Sequence, residues 1–406
     1  MNGTYTIYKR DPATGIRSEF IERYTEFSLT INWGELSSFS ISGATTGAVE
    51  LAEGDGVCFY RNGAVLLSGI VETVEITCKD TGTGIKEWTA EGRDDSVLFT
   101  RWLVSEDGVN TTFNDNIYDK VSDYAWNRMV HYIRRNMGTD SLSWRQIDGL
   151  ILPAAQNTGQ NTESAIRWQP LSDVLYEIAA EVDSNGVPNG LMPRFIWDPE
   201  TGTKSIRIDT QRDRTDIIIA PEFCNLGSWT RTLSVPTCNA ILVCSATFED
   251  ENGKEIRLWV SAEDQASVTK YGRYEQLITA SDIKVTEDDP DTPEDESISQ
   301  AEALELLANK ARDGLTEGAA KVKFSGTMIE TPELRFQDDW ICGDLVTCII
   351  DGESFVTSIK TVEIDYANGV ESVKPTLGEN EHGEFAGIFE RLRGLDTRLS
   401  KEELNG

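Results

Sequence analysis

Two segments of this chain, 289 residues apart, share one strand–hairpin–strand plan. Gly54-Asp55-x-Val57 recurs as Gly343-Asp344-x-Val346, and Asn62-Gly63 recurs as Asp351-Gly352 at the same offset. Asn-Gly and Asp-Gly supply the two φ > 0 residues that a tight hairpin requires. Ile70 meets Ile359 at this offset, and after a one-residue slip Thr73-Val74-Glu75-Ile76 matches Thr361-Val362-Glu363-Ile364. The competing reading is coincidence, since Gly-Asp and Asn-Gly are common turn dipeptides. Agreement over about 22 residues favours duplication. Two similar small β-barrels in one chain follow, and three such chains present six similar modules around an axis, a trimer with pseudo-sixfold character if the ring is closed.

The remaining pattern divides the 406 residues into several domains, as the length requires. Alternating Phe27, Leu29, Ile31, then Phe39 and Ile41 predict strands, and a second hairpin turns at Thr81 to Gly84. Residues 1–99 form a first β-barrel domain. Ile117, Val121, Ala125, Met129 and Ile133 recur every fourth residue and predict a helix ending near Asn136 to Gly138; a second helix starts at Leu171, after Pro170. A hairpin joins Phe195-Ile196-Trp197 to Ser205–Ile208 through Asp198–Gly202, so 100–225 reads as an α+β domain. Strands return at Asn239–Cys244 and Ile256–Trp259, and 226–378 reads as a second β-barrel domain with an inserted acidic loop and helix at about 262–320. The acidic run Glu287–Glu296 reads as an exposed linker, since it lacks the D-x-D-x-D-G spacing of a calcium loop. Ser299 and Glu302 have capping-box spacing ahead of Leu304 and Leu307, and Gly314 stands where that helix would stop.

The last segment, 379–406, carries Phe385, Ile388, Leu392, Leu395 and Leu399 at spacings of 3, 4, 3 and 4. That is the a/d seam of a coiled coil between copies, or the apolar face of a helix folded back on its own domain. About two heptads containing Gly387 and Gly394 cannot associate alone. The seam needs neighbours already held together by the barrels.

With 37 basic against 69 acidic residues, the net charge is −32. No basic groove for phosphate backbones is expected, and passing DNA is repelled rather than held. The seven cysteines form no C-x-x-C pair, and most lie in apolar strand contexts as buried thiols. Neither a signal region nor an apolar run long enough to span a membrane is visible, so a soluble chain is expected. His131 and His382 are the only histidines, which removes most Ser-His-Asp, Cys-His and multi-histidine zinc arrangements. Gly82-Thr83-Gly84 lacks Walker spacing and reads as a hairpin tip. The acids can supply a glycosidase dyad without any local spacing rule, but no pair stands out. No cofactor, metal or catalytic residue is assigned.

The stretch Asp339-Trp340-Ile341-Cys342-Gly343-Asp344-Leu345-Val346 resembles the D-W-x-x-G-D-x-V signature of the siphophage tail-tip hub family, also called the amino-terminal domain of tail-associated lysins. Glu91-Gly92-Arg93-Asp94, Asn225-Leu226 with Asn239, and Lys270–Glu275 are similar to that family in the same order. The resemblance implies the fold of contractile-phage baseplate hubs, in which two homologous barrels per chain trimerise into a pseudo-hexameric ring. It further implies that the ring joins the distal tail protein to the tip, that tape-measure protein and DNA pass through its lumen, and that receptor-binding or tip proteins follow its C-terminus. No peptidase, glycosidase or fibre domain follows the second barrel before Gly406, so the lysin activity of longer members is not expected. The expected fold class is α+β, mainly β: two homologous small β-barrel domains, an intervening α+β domain and a short C-terminal helix. The expected function is a structural, non-enzymatic homotrimeric hub of a virion tail tip or baseplate, made in the host cytoplasm. The alternatives are a tail-associated peptidoglycan hydrolase and a carbohydrate-binding β-protein.

Overall fold

The alternation that begins at Phe27 becomes the middle of a 13-stranded sheet. The computed structural model describes residues 3–105, 118–181, 188–249, 254–281, 283, 299–320 and 322–378. The first module holds β1 (Tyr5–Arg10), β2 (Arg17–Phe20), β3 (Tyr24–Asn32), β4 (Ser38–Thr45), β5 (Gly56–Arg61), β6 (Ala64–Asp80) and β7 (Ile85–Asp94). A 3-10 turn over Asp95–Arg101 leads to the α+β segment: β8 (Asp119–Tyr124), α1 (Ala125–Met137), β9 (Asn161–Ile166), α2 (Leu171–Ala180), β10 (Leu191–Trp197) and β11 (Lys204–Thr210). After β12 (Asp213–Ile219), which flanks it, the second module opens with β13 (Leu226–Leu233). An insertion follows, with β14 (Ala240–Ser245), β15 (Phe248–Glu249), β16 (Glu255–Ile256), β17 (Trp259–Glu263), α3 (Gln265–Tyr271), β18 (Glu275–Ala280) and α4 (Gln300–Gly318). The module then resumes as β19 (Val322–Met328), β20 (Leu345–Ile350), β21 (Glu353–Ala367) and β22 (Val370–Gly378).

Five strands correspond one to one. The sheet order β3-β4-β7-β6-β5 recurs as β13-β19-β22-β21-β20, and the strands follow the same chain order in both sets. The insertion enters between β13 and β19, the connection that a Trp33-Gly34 turn makes in the first module. The flanking strand differs, because β1 runs antiparallel to β5 whereas β12 runs parallel to β20. The chain is therefore mainly β with two homologous modules and an α+β segment between them. Among the described residues the ladders of each module form a path, and none joins β1 to β3.

The correspondence reaches single residues. Phe59 pairs with Leu67 while Tyr60 pairs with Val65, so Leu66 is a bulge residue; Cys348, Ile349 and Ile350 pair without interruption with Phe355, Ser354 and Glu353. The slip between the copies thus falls at Leu66, ahead of Ile70. By pairing, the counterpart of Ile70 is Ser358, and Ile359 stands where Val71 does, which corrects the match of Ile70 to Ile359. Both copies then bulge again at one place, Glu72 in the first and Lys360 in the second.

Two compact units divide the chain, one made of the residues up to Trp229 with those from Ser325, the other of Thr230–Phe324. In the first, α1 and α2 bury Trp126, Met129 and Ile133 with Leu171, Val174 and Ile178 in one core. In the second, β14 lies between antiparallel β17 and parallel β18. Ala303, Leu307 and Ala311 of α4 share its core with Ile241 and Val243.

Three local expectations are corrected. The four-residue spacing from Ile117 does not start a helix at Val121: Asp119–Tyr124 is strand, laddered to Asn161–Ile166, and the helix begins at Ala125. Gly314 does not end α4, which continues to Gly318; an added Cβ at Gly314 would stand 2.4 Å from Ile241 Cδ1, so the glycine serves close packing. Ile256 and Trp259 belong to separate strands, β16 on β15 and β17 on β14. The linker Glu287–Glu296 and the 379–406 segment, with Phe385, Ile388, Leu392, Leu395, Leu399 and His382, lie outside the described residues.

Candidate functional site

The two Gly-Asp turns are built alike. Gly54 and Gly343 have φ of +88° and +97°, a region L side chains rarely adopt. Their amides donate to Val71 O and Ile359 O, each at 2.8 Å. Asp55 and Asp344 each accept from the amide three residues back, Ala52 N and Ile341 N, both at 2.8 Å. Their backbone oxygens accept from Val71 N and Ile359 N. Val57 and Val346 are fully buried, and the tips Asn62-Gly63 and Asp351-Gly352 repeat the same angles, φ +53° then +82°. Opposite charge meets each carboxylate: Lys9 Nζ lies 2.6 Å from Asp55, and Arg212 grips Asp344 through two bonds of 2.7 and 2.6 Å. The motif residues of both copies are thus brought to equivalent places, where they hold a turn and a ladder.

Where the modules meet, β21 of the second pairs antiparallel with β3 of the first, Val362 opposite Ile31 and Ile364 opposite Leu29. All four side chains are buried, and Phe27 stacks on Tyr366 with ring centroids 5.0 Å apart. Glu371 on β22 clamps the joint. Its carboxylate accepts from Gly3 N at 2.6 Å, Arg61 Nε at 2.7 Å and the Tyr5 hydroxyl. Burial pushes this carboxyl up, but the bonds from Arg61, Tyr5 and Gly3 outweigh it and hold Glu371 below the usual carboxylate range. No short sequence signal marks this clamp, because its members lie some 300 residues apart.

Several other residues resembling the hub family hold local structure as well. Asp94 caps the 3-10 turn through Ser96 N and accepts from Ser37 N, while Arg93 forms two bonds to Glu72. Asn225 bridges Ala220 N and Ile218 O, and Asn239 bridges Gly272 O and Tyr274 N. Trp340 is fully buried beside Phe336.

An open cleft of about 860 Å³ is lined by Asp94, Asp95, Asp209, Arg194 and Arg207 among others. Asp95 is taken by Arg10 through bonds of 2.6 and 2.8 Å, and Asp209 by Arg194 and Arg207. His131, in the middle of α1, has its Nε2 2.8 Å from Asp119 Oδ1. Cys58, Cys238, Cys244, Cys342 and Cys348 are buried, whereas Cys78 and Cys224 are exposed, against the general expectation of buried thiols. Burial pushes the Cys342 thiol up to about 12 and the Cys58 thiol up to about 11, far from a thiolate nucleophile at neutral pH. Among the described residues no group of three or more His, Cys, Asp or Glu is placed to hold a metal ion, and no helix is long and apolar enough to cross a membrane.

Comparison with known proteins places these features. The profile of the family described as Siphovirus ReqiPepy6 Gp37-like protein matches residues 5–379. No curated protein matches the chain. Among solved structures, a tail protein from Neisseria meningitidis MC58 is similar at 14% identity over 93% of this chain and 97% of that one, with a TM-score of 0.53. The 43 kDa tail protein of prophage MuSo2 from Shewanella oneidensis is similar at 10% identity, 93% and 98% coverage and a TM-score of 0.53. Prophage tail protein gp18 from Listeria monocytogenes EGD-e is similar at 11% identity, 96% and 98% coverage and a TM-score of 0.51.

Proposed function

The chain belongs to the siphovirus ReqiPepy6 Gp37-like family, a bacteriophage tail structural protein with a mostly β fold, and from that premise we propose that it is the hub of the tail tip. Three copies close a pseudo-hexameric ring around the tail channel. The ring links the distal tail protein to the tip, receives receptor-binding or tip proteins at its C-terminal side, and lets tape-measure protein and DNA pass without binding them. It acts in the virion, after synthesis in the host cytoplasm, and without catalysis. In this reading the chain is composed of a barrel (1–99), an α+β domain (100–225), a second barrel carrying an insertion (226–378) and a helical segment (379–406).

The observation that carries the proposal is the duplication within one sheet: two five-strand modules with the same turns stand side by side, as two of six positions in a ring would. Mass measurement and negative-stain imaging of the purified protein at tens of micromolar test it. A species of three chains with a central opening is expected; a strict monomer with no rings removes the proposal. If the 379–406 segment joins the copies, Leu392→Asp with Leu395→Asp lowers the trimer fraction severalfold, whereas unchanged assembly assigns that helix to its own chain. Incubation with purified peptidoglycan tests the structural role, and release of reducing ends or new amino groups would replace it with a hydrolase.

A further inference from the structure

The joint between β21 and β3 is filled inside one chain, but each of its two halves has a counterpart that is not. The counterpart of β21 beyond its second bulge is β6 from Thr73 onward. There β7 lies on one side, and among the described residues no strand lies on the other. The counterpart of β3 is β13, which among the described residues pairs with β19 alone. Burial follows the difference. Val362 and Ile364, paired beside β3, are fully buried, whereas Ile76, at the place of Ile364, is 52% exposed and Val74 is only partly covered. On β13 only Leu226 is buried, and Trp229 and Leu233 stand exposed.

We propose that the open edge of β6 at Thr73–Thr77 pairs antiparallel with β13 of a second copy of this chain, repeating between chains the β21–β3 joint made within each. The occupant is another copy because this protein already shows the mating surface: the same module edge, in the same sheet order, docked on its duplicate. The registers carry the detail. Ser325 faces Gly378 as Ser38 faces Arg93, so Ile329 takes the place of Ser42, which pairs with Glu26. Ile329 N donates to Asn225 O at 2.8 Å, which puts Asn225 at the place of Glu26 and Ser228 at that of Leu29. Since Ile364 faces Leu29, Ile76 of one copy faces Ser228 of the next, and Val74 faces Thr230. Such contacts are heterologous, β6 to β13, and repeat head to tail until a ring closes. Closure leaves neither strand edge exposed, which removes the hazard of an unpaired edge.

This joint rests on the ring proposed above, and the test separates the two. In a Cys78→Ser, Cys224→Ser background, Ile76→Cys and Ser228→Cys are combined and treated with a short bismaleimide. Opposed residues in an antiparallel ladder have Cβ atoms about 5 Å apart, within its span. Covalent dimers and trimers on a denaturing gel are expected, each single-cysteine variant giving none. As a second readout, Ile76→Lys, a change at a half-exposed position, is expected to lower the trimer fraction at least tenfold while leaving the circular dichroism spectrum intact. Trimers that persist in Ile76→Lys and do not cross-link overturn the joint and leave the ring standing. A monomeric unmodified protein overturns both.

Discussion

At the scale of residues, the duplication supplies paired controls within one molecule. Gly54 and Gly343 share a positive φ, but a Cβ at Gly54 would meet nothing within 4 Å, whereas at Gly343 it would lie 2.0 Å from Trp33 Cε3. Gly54→Ala therefore costs the left-handed backbone alone, about 1–2 kcal/mol. Gly343→Ala adds overpacking against a buried tryptophan, a further 1–3 kcal/mol or so. Urea unfolding of the two variants should show the larger midpoint loss for Gly343→Ala, and equal losses would mean that Trp33 yields freely. Glu371 gives the pH dependence. Its carboxyl is held low in the folded chain, so the stability it contributes is complete above the unfolded value of about 4.3 and is lost as pH falls through the lower folded value. Unfolding midpoints of the protein and of Glu371→Gln should differ most at pH 6 and converge toward pH 3. A constant gap across that range would remove the ion pair from the account.

At the scale of elements, the bulge at Leu66 is the one irregularity that separates the two hairpins. Deleting Leu66 gives the first hairpin the uninterrupted register of the second and leaves every later residue on its own face. The variant should fold with a cost inside the ordinary range for one change, about 0.5–3 kcal/mol. Deleting Val74 shifts the rest of β6 by one position and turns its faces over, so it should abolish the cooperative transition. Similar losses for both deletions would show that Leu66 is not a spare residue. The hairpins themselves were legible because Asn-Gly, Asp-Gly and the Gly-Asp turn determine conformation within four residues. The onset of α1 was not legible, since Val121 continues a helical spacing while its ladder partner Ser164 lies 43 residues away, and only the folded chain brings them together. Gly314 is ambiguous for the same reason: a glycine that ends a helix and one that lets a helix approach Ile241 are the same letter. The Glu371 clamp and the β21–β3 joint depend on contacts across the whole chain, whereas the two Gly-Asp turns that mark the modules were in plain view.

At the scale of the whole molecule, a net charge of −32 sets the electrostatics of any assembly. Where complementary charges drive association, salt weakens it; in the proposed ring, three copies of one acidic chain are brought together against their mutual repulsion. The screening length falls from about 30 Å at 0.01 M salt to about 8 Å at 0.15 M. Most of the repulsion between neighbouring copies is then screened, while paired strands and buried side chains are little affected. The trimer should therefore tighten as salt rises over that range, measured as the protein concentration at which half the chains are assembled. The same charge argues that duplex DNA is not retarded by the protein in a gel at any of these concentrations, since a chain of net charge −32 has little counterion release to gain. Dissociation on adding salt would place a cross-chain ion pair, rather than the apolar strand edge at Val74 and Ile76, at the centre of the ring contact.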